Sequence, residues 1–306
     1  MAAITASMVK ELREMTDAGM MECKKALVEA DGDMEKAVDV LRTRGLAAAA
    51  KKAGRATNEG TVMTVLADDA KSAAVVELNC ETDFVGMNEK FKAYAEKLGR
   101  AALAANAADV EALRASTFEG EPVEDILTDA IHVLGENIQL PRATTVNAGG
   151  IASYIHGGGK IGVLVQAASP AGASEAVLTA AKDCALQIAA MKPSYLKRED
   201  VPATVLEEEK TVVLAQMAED PKMKTKPQQV LAKIAEGKVG KYYSENCLLE
   251  QTFVKDGSMN VKQYVDSVAK AAGTTIDITG YVCFERGEGI EKKADNFAEE
   301  IASMIK

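Results

Sequence analysis

Apolar residues recur at helical spacing through residues 1–45, then give way to short continuous or alternating runs. The chain is therefore expected to open all-helical and to become mixed α and β. In the first helix Ile4, Met8 and Leu12 fall on one side, Thr5 is placed to cap it, and the turn Thr16-Asp17-Ala18-Gly19 ends it. A second, over about 20–30, puts Cys23, Leu27 and Ala30 on one face. Asp31-Gly32-Asp33 breaks it and supplies Asp33 as the next cap. Met34, Ala37, Val38 and Leu41 then follow an i, i+3, i+4, i+7 pattern that Gly45 is expected to close. Three such helices make a minimal bundle, a common recognition module. Met20 and Met21 are adjacent at a helix start and cannot share a face, so one is expected to be exposed as an adaptable contact unless both fill core. Residues 46–56 are alanine-rich, carry Lys51, Lys52 and Arg55 without an acid, and read as a connector with a solvated basic face.

Runs at 62–66 and 73–78 flank Asp68-Asp69-Ala70-Lys71 and predict a hairpin. Cys80-Glu81-Thr82-Asp83-Phe84-Val85 leads from it toward a helix that starts near Asn88 and buries Phe91, Ala95, Leu98 and Ala102. From the residues alone, Asp83 capping a turn and Phe84 filling the core is the favoured reading of this loop. Val123, Ile126, Leu127, Ala130, Ile131 and Leu134 mark another helix, with His132 in a structural place beside the stripe. A second hairpin, 151–155 with 161–165, surrounds His156-Gly157-Gly158-Gly159-Lys160 and precedes a helix over 174–191 with Ala181, Cys184 and Ile188 on one side. Hairpin followed by helix thus occurs twice, a weak internal repeat. The glycines do not form a phosphate loop, because Ile161 follows the lysine and the spacing is wrong. They predict a turn needing positive φ, with His156 exposed at its edge.

Pro193 and Pro202 bracket a break. Residues 205–218 are helical in pattern, with Val205, Val212 and Ala215 apolar among Glu207, Glu208 and Glu209. A charged turn from Asp220-Pro221 to Lys226-Pro227 leads to a helix carrying Val230, Ile234 and Val239 and ending near Tyr242. The pair predicts an antiparallel helical hairpin that projects from the core. A helix over 261–271 follows, then a strand over 275–285 with a bulge near Gly280, then Arg286-Gly287-Glu288-Gly289 and a final helix with Phe297, Ile301 and Met304.

Composition narrows the function classes. No apolar run in the 306 residues reaches the ~18 of a membrane span, and the amino terminus has no continuous apolar core, so a cytoplasmic protein without membrane contact is expected. A net charge of −10 argues against broad nucleic-acid binding. The five cysteines are scattered without a C-x-x-C spacing, which fits free thiols and neither a metal site nor a disulfide framework. Cys80 or Cys184 as a nucleophile is one rival reading, although the sequence places no base or oxyanion site beside either. A plain interaction scaffold is another.

Motifs along the whole chain carry a resemblance: Ile4-Thr5-Ala6, Val9-Lys10-Glu11-Leu12-Arg13, Ala18-Gly19-Met20-Met21, Cys23-Lys24-Lys25-Ala26-Leu27, Thr82-Asp83-Phe84-Val85, His156-Gly157 before Ile161-Gly162-Val163-Leu164-Val165, and Gly287-Glu288-Gly289-Ile290-Glu291. In this order they resemble the bacterial elongation factor Ts family. The resemblance implies an α+β fold: a ubiquitin-associated-like three-helix domain with its basic linker over 1–55, a first core subdomain over 56–140 and a similar second one over 141–306. The second is expected to hold an inserted helical hairpin at about 192–243 and a C-terminal helical module at about 287–306. It implies a guanine nucleotide exchange factor for elongation factor Tu in translation elongation, working by protein–protein interaction, with no catalytic residue, cofactor or metal of its own. Thr82, Asp83, Phe84 and Val85 are then the loop that disturbs the partner's magnesium site. Lys10, Arg13, Met20 and Met21 grip a helix beside the guanine site, and His156, Phe253 and Val254 touch the partner's other domains. The sequence is compatible with a monomer or a homodimer.

Overall fold

Thr5 opens the first helix, its hydroxyl accepting from the Met8 amide at 3.3 Å. In this computed structural model, which describes residues 4–16, 18–219 and 228–289, that helix is α1 (Ala6–Thr16). It packs with α2 (Met20–Glu29) and α3 (Met34–Lys52) around the buried Leu12, Cys23, Leu27 and Ala37. Asp33 caps α3 as the sequence predicts, accepting from the Lys36 amide at 3.1 Å. Gly45 does not end that helix. It is buried mid-helix, where a Cβ would lie 3.4 Å from Thr128 Cγ2 and 3.6 Å from His132 Cβ. The glycine serves close helix contact, and the alanine-rich segment is helical as far as Lys52.

The mixed region begins with β1 (Glu59–Leu66) and β2 (Ser72–Cys80), the expected hairpin. α4 (Asp83–Gly86), α5 (Glu89–Ala105), α6 (Val110–Arg114), a small β3 (Thr117–Phe118) and β4 (Glu121–Pro122) pair, α7 (Val123–Leu134) and β5 (Gln139–Asn147) follow. β5 pairs with the free side of β2 to give the order β1-β2-β5. It is hidden in the hydrophobic pattern because Pro141 interrupts it. On an edge strand the missing N–H is tolerated.

The second half runs β6 (Gly150–His156), β7 (Ile161–Ala168), α8 (Glu175–Met191), α9 (Ala203–Glu219), α10 (Gln228–Asn246), β8 (Thr252–Phe253), β9 (Asp256–Asn260), α11 (Val261–Ala271) and β10 (Asp277–Glu285). Its sheet has the order β10-β7-β6, and β10 carries the expected bulge between Ile278 and Gly280.

Continuous apolar runs in β2 and β7 follow from burial on both faces. Ala74, Val76, Leu78 and Cys80 of β2 pack against Phe91 and Leu98 of α5 and Ile126 of α7. Val163 and Val165 of β7 pack against Ala181 and Cys184 of α8 and Val265 of α11. The alternate residues Ala73, Val75 and Leu164 meet Val62 and Ile151 between the two sheets. The layers are helix, sheet, sheet, helix, and each large inner side chain contributes roughly 1.5–3 kcal/mol on burial. The sheets come close enough for the Val62 amide to donate to the Gly159 carbonyl at 2.8 Å.

In α9 the inward residues are Val213 and Met217, whereas Val212 is exposed and Ala215 lies outside too. Of the apolar residues noted in the sequence, Val205 is half-buried and the other two face outward. α9 packs against α10, which continues to Asn246, past the expected end near Tyr242. The predicted turn residue Asp17, the 220–227 turn, Ile290 and Glu291 of the last motif, and the final helix with Phe297, Ile301 and Met304 lie outside the described residues. No helix among the described residues is long and apolar enough to cross a membrane.

Candidate functional site

Residues 82–85 are the cap and the first three residues of α4, a single helical turn set shortly after β2. Thr82 is its cap, with extended backbone and a hydroxyl that accepts from the Val85 amide at 3.3 Å. The capping role predicted for Asp83 belongs instead to Thr82. The backbone closes with Gly86 N–H donating to Thr82 O at 3.1 Å and Met87 N–H to Asp83 O at 2.9 Å. Asn88 then caps α5 through the Lys90 amide at 2.8 Å. Val85 packs into the cluster under α5. Phe84 points the other way and is 84% exposed. The core reading of Phe84 is therefore corrected: Val85 takes the inner place, and a residue adjacent to it on a helical turn cannot share its direction. Met87, three residues on, is exposed as well, so the turn offers a small apolar face beside the solvent-facing Asp83.

Two carboxylates pin this turn from outside the sequence motif. Glu136, after the left-handed Gly135 that ends α7, accepts through Oε2 from the Glu81 amide at 2.9 Å and the Thr82 amide at 3.0 Å. Its Oε1 accepts from the Thr82 hydroxyl at 2.5 Å. Glu81 reciprocates, its Oε1 accepting from the Asn137 amide at 2.7 Å and from Arg55 at 3.3 Å. The buried Asn137 amide group donates to the Arg55 carbonyl at 2.8 Å. Lys52 donates to the Ile131 carbonyl at 3.3 Å. Burial and the charge of Arg55 lower its pKa, while Glu81 and Glu136 oppose that shift. Lys52 and Arg55 are thus engaged with the core, while Lys51 is exposed as the solvated-face reading expects.

The remaining predicted contact residues lie on separate elements. Lys10 and Arg13 are exposed on α1, Lys10 within 3.5 Å of Glu14. Met20 and Met21 are both exposed, because α2 buries Cys23, Ala26 and Leu27 instead. The sequence alone predicts only one of them outside. His156 is exposed at the end of β6, with Nδ1 3.1 Å from the Tyr154 hydroxyl. Phe253 is a correction: it is 3% exposed, stacked on Tyr264 at 4.1 Å, and its ring is core. Val254 is exposed, its amide held by the buried Gln187 at 2.8 Å. Among the described residues no hydrogen bond, ion pair or ring contact joins these groups to the 82–85 turn.

The thiols of the nucleophile reading are unsuited to that work. Burial pushes Cys80 up to about 12, helped by the charges of Glu136 and Glu59, and its Sγ lies 3.1 Å from the Thr82 carbonyl. Burial also pushes Cys184 up to about 12. Both stay protonated near neutral pH, and a thiolate is the nucleophile. A cleft of about 620 Å³ lies between the amino-terminal helices and α7, lined in part by Met15, Arg42, Asp125 and His132, and the turn residues are not part of it. Among the described residues no three His, Cys, Asp or Glu side chains are grouped to hold a metal ion.

Residues 81–288 match the family model described as elongation factor TS. A protein named elongation factor Ts from Clostridium botulinum (strain Eklund 17B / Type B) is 49% identical over 305 residues, covering 99% of each chain. Its namesake from Clostridium perfringens (strain SM101 / Type A) is 47% identical over 304 residues, covering 98% of this chain and 99% of its own.

Proposed function

The chain belongs to the elongation factor Ts family, and on that premise we propose that it is a guanine nucleotide exchange factor for elongation factor Tu in translation elongation, acting in the cytoplasm. Residues 1–55 act as a gripping unit, and 56–140 and 141–306 as two core halves that seat the partner. The observation that carries the reading is Phe84, a large apolar ring held 84% exposed on a turn that Thr82 caps and that the Gly86 and Met87 amides close. Leaving such a ring in water forgoes roughly 1.5–3 kcal/mol, which a partner's groove can recover. A rigid mount lets the recovered energy displace packed elements of the partner.

In this reading Phe84 enters between helices of the GTPase next to its magnesium site, and Asp83 competes for the ligands and waters of that ion. Magnesium ties the phosphates of the nucleotide to the GTPase, so disturbing it loosens GDP. Lys10, Arg13, Met20 and Met21 hold the partner beside its guanine site, while His156 and Val254 meet its other domains with Phe253 supporting Val254 from within. Linkage supplies the cycle. A factor that binds the nucleotide-free GTPase more tightly than the GDP form must itself be weakened by nucleotide, so GTP releases it. No chemical step on this chain is required. The test is stopped-flow release of a fluorescent GDP analogue from elongation factor Tu by wild type and Phe84→Ala at matched, saturating concentration. Slower release by a folded variant is expected, and an unchanged rate would reject the wedge.

A further inference from the structure

We propose that Glu136 is the positioning residue of the exchange turn, holding Phe84 in its presented direction and linking the turn to the basic linker through Glu81 and Arg55; this rests on the exchange-factor reading above. Three donors converge on the one carboxylate: the Glu81 amide, the Thr82 amide and the Thr82 hydroxyl, at 2.9, 3.0 and 2.5 Å. Hydrogen bonds to an ionised acceptor are the strong class, and three from adjacent groups fix orientation as well as place. The hydroxyl has a single hydrogen. Because it is given to Glu136, the Thr82 oxygen is left to accept from Val85 N–H, the bond that caps α4. Glu136 thereby sets the rotamer of the cap, and the cap sets the turn on which Phe84 rides.

The exchange is reciprocal. Glu81, from the turn segment, receives the Asn137 amide next to Glu136, so each of the two loops closes its backbone on a carboxylate of the other. Two acids so close together need counter-charge, and the cations beside them are Arg55 and Lys52 at the end of the linker. Arg55 is also held by its carbonyl to Asn137. The amino-terminal bundle and the exchange turn therefore share one anchor, and a grip exerted by the bundle reaches Phe84 through short polar contacts. The exposed apolar face consists of Phe84 and Met87, and the polar bonds of Glu136, Asn137 and Arg55 go to other groups, which separates positioning from contact.

The test titrates full-length variants against elongation factor Tu carrying a fluorescent GDP analogue, reading maximal release rate and half-saturating concentration separately, with amide hydrogen exchange at Glu81 and Thr82. Glu136→Ala is expected to lower the maximal rate about tenfold, equivalent to about 1.4 kcal/mol. Its half-saturating concentration should stay within about twofold of wild type, and the two amides should exchange faster. Glu136→Gln should fall between, since its one carbonyl oxygen can still accept while its nitrogen cannot. A general structural defect would instead move melting temperature and half-saturation together. Wild-type maximal release by Glu136→Ala, while Phe84→Ala is slow, overturns the role of Glu136 alone. An unchanged rate for Phe84→Ala overturns the exchange-turn reading on which it rests. Should the alanine variant fail to fold, wild-type release and wild-type amide protection in Glu136→Gln overturn the proposal.

Discussion

Glu77 and Arg142 face each other across β2 and β5 with 2.6 Å between carboxylate and guanidinium, the acid 1% exposed and the base 28%. The same carboxylate accepts from the Gly287 amide at 2.7 Å. Arg142 also donates to the Glu285 carbonyl at 2.7 Å and lies 4.4 Å above the Phe284 ring. One charge pair, its acid buried and its base half-buried, thus gathers both sheets and the Gly287-Glu288-Gly289 turn. Arg142→Ala leaves a buried carboxylate without its counter-ion and is expected to cost about 3–5 kcal/mol in urea unfolding. Glu77→Gln keeps an acceptor for Gly287 and should cost about 1–3 kcal/mol. Replacing both by Met should recover much of the larger loss, because burying neither charge removes the desolvation cost. A loss below about 1 kcal/mol for Arg142→Ala would show that the pair is not the anchor described.

The close approach of the sheets makes two glycines distinguishable. A Cβ on Gly162 would lie 2.4 Å from Val62 Cγ1, a purely steric conflict. Gly159 has φ +99, and its Cβ would lie 1.9 Å from Thr61 Oγ1. Gly162→Ala should destabilise by about 1–3 kcal/mol, and Val62→Ala in the same chain should relieve most of the clash. Gly159→Ala combined with Thr61→Ala should recover less, since about 1–2 kcal/mol of backbone strain stays. Melting temperatures of the four variants measure the difference, and equal rescue of both would contradict the geometry.

What the sequence reveals is what local periodicity encodes. The bundle helices, both long hairpins, α11 and the bulge at Gly280 leave repeating or breaking signals within a few residues. Two-residue strands such as β8 leave none, and β5 is concealed by Pro141. Gly45 looks like a helix stop because its reason, the surface of α7, is over eighty residues away. Phe253 carries no mark of being inside, since its partner Tyr264 comes from another element. Phe84 is the reverse case. Hydrophobicity sends an aromatic to the core, and only the family resemblance indicates the outside. Glu136 is one acid among 46 with no local pattern to single it out.

The buried thiols give a pH signature. Burial raises Cys184 from an ordinary 9.0 to about 12, so the folded chain holds this proton more tightly than the unfolded one. The resulting stabilisation is complete below the unfolded value and is lost as pH rises from about 9 toward about 12. Cys184→Ala removes that dependence at the cost of a small cavity, roughly 1 kcal/mol. The variant should be the less stable protein at pH 8, and the gap should narrow at higher pH when urea midpoints are compared. A gap that widens with pH would reverse the assigned direction of the shift.

The residues proposed to grip and the one proposed to wedge lie on different elements, so their effects should separate kinetically. Met20 and Met21 form an exposed pair at the start of α2, away from the residues that fill the bundle. Met20→Asp puts a charge on that apolar surface and should leave the fold within about 0.5 kcal/mol of wild type. If α2 grips the partner, the half-saturating concentration for GDP release should rise about tenfold or more, the effect of losing an interface anchor. The maximal rate at saturation should stay close to wild type, since the exchange turn is untouched. Phe84→Ala should do the opposite, lowering the maximal rate about tenfold or more with a smaller change in half-saturation. Combining the two should multiply their separate effects, because residues without shared contacts couple weakly. A Met20→Asp variant that lowers the maximal rate while binding normally would place the bundle in the exchange step itself and would contradict the division of labour between α2 and α4.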